Sequence, residues 1–194
     1  MSVSKALTVS IHNGIRWPHL ISVCAALLIS VSSAPPLHAQ EHSMTDAQVV
    51  PAKLVKEVQD ATRKYFNVND ARKAGYGPFL GCVTGPDHGA MGIHYVNGKL
   101  FGKLEPDQPQ ALIYEPQGNL LRLVGVEFIT DAKTWLKTHK NTPPVLEGQV
   151  LQLVPAPNRF NLPDFFELHV WAWRNNPNGA FVDWNNKVSC EHGG

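Results

Sequence analysis

The sequence predicts a mainly β, α+β domain: an antiparallel β-sandwich or barrel with covering helices at its N-terminus and one disulfide. Three observations carry this. Beyond Gly77, short runs rich in β-branched and aromatic residues alternate with turn residues. Ahead of them, Leu54, Val55, Val58, Ala61 and Tyr65 recur at helical spacing. Two cysteines, Cys82 and Cys190, bracket the β-rich region.

Pro51 suits a first helical turn, with Thr45 or Asp46 upstream as a cap. A second short helix runs to Ala74 from a cap at Asn69 or Asp70, and Gly75 closes it. Strands are expected near 79–84 and 91–96, with Asn97-Gly98 as a tight hairpin turn into 99–104. Further strands are placed at 111–115 and 120–129, joined through Gln117-Gly118-Asn119. Asp131 to His139 reads as a surface helix capped by Thr130. Strands at 146–154, 165–174 and 181–184 complete the domain, punctuated by Pro143-Pro144, Pro155, Pro157 and Pro163.

Residues 1–39 read as a signal peptide. Lys5 and Arg16 are its basic residues, and the apolar run Leu20 to Val31 is shorter than the ~20 residues a spanning helix needs. Cleavage is placed after Ala39, leaving a polar, flexible start at 40–50 and one β-rich domain with its helices at 51–194. Cys24 lies inside the apolar run after Val23, which argues against a lipid anchor. The expected location is periplasmic or secreted, with no membrane anchor after cleavage. Losing Lys5 and Arg16 takes the formal charge from +1 to −1. No basic stripe remains, so nucleic acid is an unsuitable partner. In an exported chain, Cys82 and Cys190 most simply form a disulfide.

The chemistry-bearing residues sit singly inside apolar strands. Alternation puts Glu167, His169, Trp171 and Trp173 on one face. His94 lies in Met91-Gly92-Ile93-His94-Tyr95-Val96, and Glu127 in Leu123-Val124-Gly125-Val126-Glu127-Phe128. Two imidazoles and a carboxylate are the ligand set of open zinc and non-haem iron sites. His94, Glu127 and His169 are the candidate ligands for zinc or iron, with Glu167 or His88 auxiliary. A hydrogen-bonded His–Glu arrangement without metal uses the same residues. Glu127 alternates with Val126 and Phe128, so the sequence leaves its face open, and His94 beside Ile93 and Tyr95 poses the same choice.

A second reading takes Trp171, Trp173 and Tyr95 as the walls of an aromatic pocket for a small apolar ligand. A third is a disulfide-stapled interaction domain with no small-molecule site. Serine nucleophile settings of the G-x-S-x-G kind and glycine-rich phosphate loops are absent.

The segments Gly89–Val96, Leu121–Phe128 and Leu168–Trp173, with Asn176-Pro177 and Val188-Ser189-Cys190, resemble a family of small exported bacterial proteins of uncharacterised function. The likeness covers most of residues 76–190. It implies export and a shared β-rich domain, and it assigns no catalytic role to any residue.

Overall fold

The computed structural model describes residues 45–191, with side chains from Lys53 onward. The expected signal peptide and residues 40–44 lie outside the described residues. Helix α1 spans Thr45–Thr62 and α2 Val68–Lys73. The long α1 therefore contains Pro51 rather than starting at it. Asn67 is the observed cap of α2, accepting from the Asn69 backbone N–H, and Gly75 follows with φ +97°. Among the described residues no helix is long and apolar enough to cross a membrane.

Eight strands follow: β1 Gly77–Gly85, β2 Gly89–Val96, β3 Ala111–Gln117, β4 Leu120–Asp131, β5 Val145–Leu146, β6 Gln149–Val150, β7 Gln152–Val154 and β8 Phe165–Val170. Six of them form one curled antiparallel sheet in the order β1-β2-β3-β4-β8-β7, and β5 and β6 form a separate ribbon. The expected antiparallel sandwich or barrel is met in part, as one curled half-barrel sheet that stays open. Its ends do not pair, and no second large sheet faces it among the described residues.

One face carries Tyr95, Leu112, Tyr114, Val126, Phe128, Phe166, Leu168 and Val170, packed with Leu54 and Val58 of α1 and Ala71 of α2. Polar atoms join helix to sheet: the Tyr114 hydroxyl donates to the Tyr65 carbonyl at 2.7 Å, and Trp173 Nε1 donates to Thr62 Oγ1 at 3.0 Å. The other face carries a smaller cluster of Ala90, Ile113, Val124, Trp171 and Val188. Because both faces are covered, β4 is buried continuously from Leu123 to Phe128. That continuity explains why alternation alone left Glu127 undecided.

Several local expectations change. Asn97-Gly98 does not close a tight hairpin: the Asn97 side chain accepts from Lys99 N, and a 3-10 turn runs Gly98–Leu100. The strand expected at 99–104 is a loop instead. Fully buried Gln110 holds this loop, donating from Nε2 to the carbonyls of Leu100, Lys103 and Gln108 while Oε1 accepts from Ile129 N. Gln110→Ala is expected to cost about 1–3 kcal/mol by orphaning buried groups, seen as a lower urea midpoint. The expected long strand 146–154 is broken at Glu147 (φ +45°) and Gly148 (φ +78°), a two-residue turn joining β5 to β6. Helix α3 is Ala132–Thr138, capped by Asp131, not Thr130. The segment 181–184 is irregular, and only Asn185 bridges, to Ala90.

Strand β8 stops at Val170, four residues early, because the chain kinks: Ala172 N bonds back to the Val170 carbonyl. The kink breaks alternation. Trp171 stays with the second face, while Trp173 turns to Thr62 and to Phe66, 4.5 Å away between ring centroids. Tyr95 packs on the helix side against Tyr114. The three aromatics expected to wall one pocket therefore do not line a common cavity.

Cys82 of β1 and Cys190 form a disulfide, with Cα atoms 5.7 Å apart and a sequence separation of 108. It fastens an edge strand to the C-terminal segment.

Candidate metal centre

The site lies on the sheet face opposite the helices. Glu127 of β4 and His169 of β8 are direct cross-strand neighbours, so both project from the same face. Ala111 of β3 is the other neighbour of Glu127, and Ile113 is the neighbour of His94 on β2. His94 thus meets Glu127 diagonally across β3. The small side chain of Ala111 leaves the room. Gly125 continues the row of His94 and Ile113 on β4. A Cβ there would stand 2.8 Å from the Val170 carbonyl and 3.3 Å from Trp171, so glycine lets the kinked end of β8 come close.

His94 Nε2 lies 3.5 Å from His169 Nε2 and 3.3 Å from Glu127 Oε2. One ligand atom from each of the three residues falls within 4.8 Å of the others, and all three side chains are buried. Bonds of about 2.0–2.1 Å in a tetrahedron place ligand atoms about 3.3–3.4 Å apart; the two distances from His94 are close to this, and the third pair lies within 4.8 Å.

Two more carboxylates surround this trio. Glu167, one of the auxiliary residues expected from sequence, is buried on the same face two residues from His169. Asp183 is the residue that sequence reasoning missed; its Oδ1 stands 3.7 Å from His169 Nδ1. Glu167, His169 and Asp183 form a second group able to offer ligand atoms within the same span. The signal for Asp183 was slight: an acid among Phe181, Val182 and Trp184, in a segment whose irregular path no pattern revealed. His88, the other auxiliary candidate, sits in the exposed β1–β2 turn and is not brought into either group. Glycines 85 and 89 bound that turn, ending both strands before His88 can join the face.

Burial governs the protonation of the cluster. It pushes His94 down to about 4, opposed by a hydrogen bond with the Gly92 backbone. It pushes His169 well below its usual range, and the neighbouring His94 adds to this. Burial holds Glu127 well above the ordinary carboxylate range, reinforced by Glu167, and lifts Glu167 to about 7 and Asp183 upward. The imidazoles are therefore neutral, which is the form that ligates metals. His169 Nδ1 and Asp183 Oδ1 are buried without hydrogen-bond partners. A small closing movement would let Nδ1–H donate to Asp183, leaving Nε2 as the lone-pair donor, as in carboxylate–histidine–metal arrangements.

If Asp183 has that orienting role, Asp183→Asn should weaken zinc binding about 10- to 100-fold without removing it. Competition against a chromophoric chelator measures this, and an unchanged affinity would deny the role.

Comparison with protein-family models, with curated proteins and with solved structures finds no match for this chain.

Proposed function

We propose that this is an exported protein, of the small bacterial family it resembles, that binds a divalent transition metal, zinc or iron, through His94, His169 and Glu127. The observation that carries the reading is the convergence of His94, 3.3 Å from Glu127 and 3.5 Å from His169, with one ligand atom of each within 4.8 Å of the others inside an apolar wall. Burying Glu127 and Glu167 beside the half-buried Asp183 is costly, and a dication offsets that cost. Three protein ligands leave a coordination position for water or for another small molecule.

The test is elemental analysis of the purified mature protein beside His94→Ala. About one equivalent of metal in the wild type, lost in the variant, is expected. Metal-free protein that also fails to take up zinc or ferrous iron on reconstitution would overturn the reading and leave a hydrogen-bonded His–Glu cluster.

The reading also fixes a pH dependence. Near neutral pH the metal-free Glu127–Glu167 pair retains a proton, since both carboxyls are raised by burial. A metal reaching Glu127 must displace it. Loading should release protons, and affinity should climb as pH rises through about 7 and fall on acidification. Chelator competition at about pH 6, 7 and 8 reads the slope, and a flat profile would contradict proton displacement.

A further inference from the structure

Beside the cluster runs an apolar groove that the metal ligands alone do not explain. Its wider part has a volume of about 280 Å³ and is lined by Phe79, Val96, Phe101, Ile129, Leu162 and Phe165, with Asp131 and Asp164 also in its lining. A narrower part of about 30 Å³ shares Phe79, Val96, Ile129, Leu162 and Phe165, and its lining includes His94 and Glu127. The two parts share five lining residues, so the apolar recess adjoins two of the three candidate ligands. Phe79 and Phe101 of this lining are 37% and 46% exposed, so the groove opens to solvent past apolar side chains. Both carboxylates already have partners: Asp131 caps α3, and Asp164 accepts from Ala156 N.

We infer that this groove binds a small monocarboxylic acid with an aromatic or short aliphatic body, whose carboxylate occupies the open position of the metal held by His94, Glu127 and His169. The inference rests on the metal reading above. Size, polarity and charge each narrow the ligand. The volume lies just below the ~300–1,000 Å³ of ordinary ligand pockets, so one ring or a short chain fills it. The walls offer no polar anchor along the shared length, so the body is apolar. Only the narrow part offers a polar head a partner, because His94 and Glu127 line it and a dication held there keeps a coordination position for a carboxylate oxygen. Asp131 and Asp164, which line the wider part and not the narrow one, repel a second anionic group there, which favours monoacids over diacids.

The experiment titrates zinc-loaded protein with 4-fluorobenzoate, followed by fluorine NMR, with fluorobenzene and acetate as controls. Phe79→Ser and Phe101→Ser serve as variants because their partial exposure spares the core. Fluorobenzoate is expected to bind more tightly than either control. Each serine variant should weaken it about tenfold while metal content stays at the wild-type level. Metal present with no fluorobenzoate binding, or with binding indifferent to both variants, would overturn the inference and leave the metal reading standing. Fluorobenzene binding as well as fluorobenzoate would overturn the head-group assignment. Protein that takes up no metal would overturn both, and elemental analysis of the same samples separates that case.

Discussion

His169→Ala is expected to lower zinc affinity by more than about a hundredfold, beyond the 10- to 100-fold typical of residues that only orient a ligand. The histidine is fully buried and offers Nε2 to the cluster and Nδ1 toward Asp183, so no neighbouring side chain replaces it. Glu127→Gln should lose affinity comparably, because an amide brings no negative charge, yet its effect on the fold should differ. In metal-free protein the buried carboxyl is a burden, and its neutral isostere should leave the urea midpoint unchanged or raised. Affinity lost while stability is kept is what a site residue gives. A Glu127→Gln protein that bound zinc like the wild type would remove Glu127 from the ligand set.

Reducing the Cys82–Cys190 disulfide should cost up to about 4–5 kcal/mol, the loop-entropy value for a crosslink of this span. Urea unfolding with and without reductant measures the difference. Superimposable curves would show that the crosslink does not constrain the denatured chain. Non-reducing peptide mapping should recover the linked pair directly. Since Cys82 belongs to β1, whose residues Phe79 and Val83 border the narrow end of the groove, reduction should also loosen that border before the sheet core melts.

Much of the β-rich domain was legible because burial and turn chemistry act locally. The segments around His94, Glu127 and His169 read as strands because β-branched and aromatic residues fill them. The cysteine pairing followed from there being two. What escaped were features set by distant parts of the chain. The break in the 146–154 run depends on Glu147 adopting a positive φ, which an acidic residue does not advertise. The loop after Asn97 depends on Gln110, thirteen positions further along the chain. At the candidate site, the strands that carry His94, Glu127 and His169 were visible, but their convergence was not. It needs the diagonal past Ala111, and no single strand contains that information. Trp173 shows the converse, since a two-residue kink after Val170 cancels an alternation that the sequence displays plainly.

An open sheet invites trouble at its outer strand, which presents unpaired backbone groups to any passing chain. Strand β1 is such a strand, and it bears the exposed Phe79 and Leu80. Between the Phe79–His94 and Val83–Gly92 pairs, three of its residues stand opposite Ile93 alone, and Leu80 takes a positive φ of 61°. A second molecule seeking to extend the sheet would find no straight template there. The irregularity that shapes the groove's border also makes the strand a poor recruit for aggregation, so straightening it by design would trade a ligand-sized recess for a sticky edge.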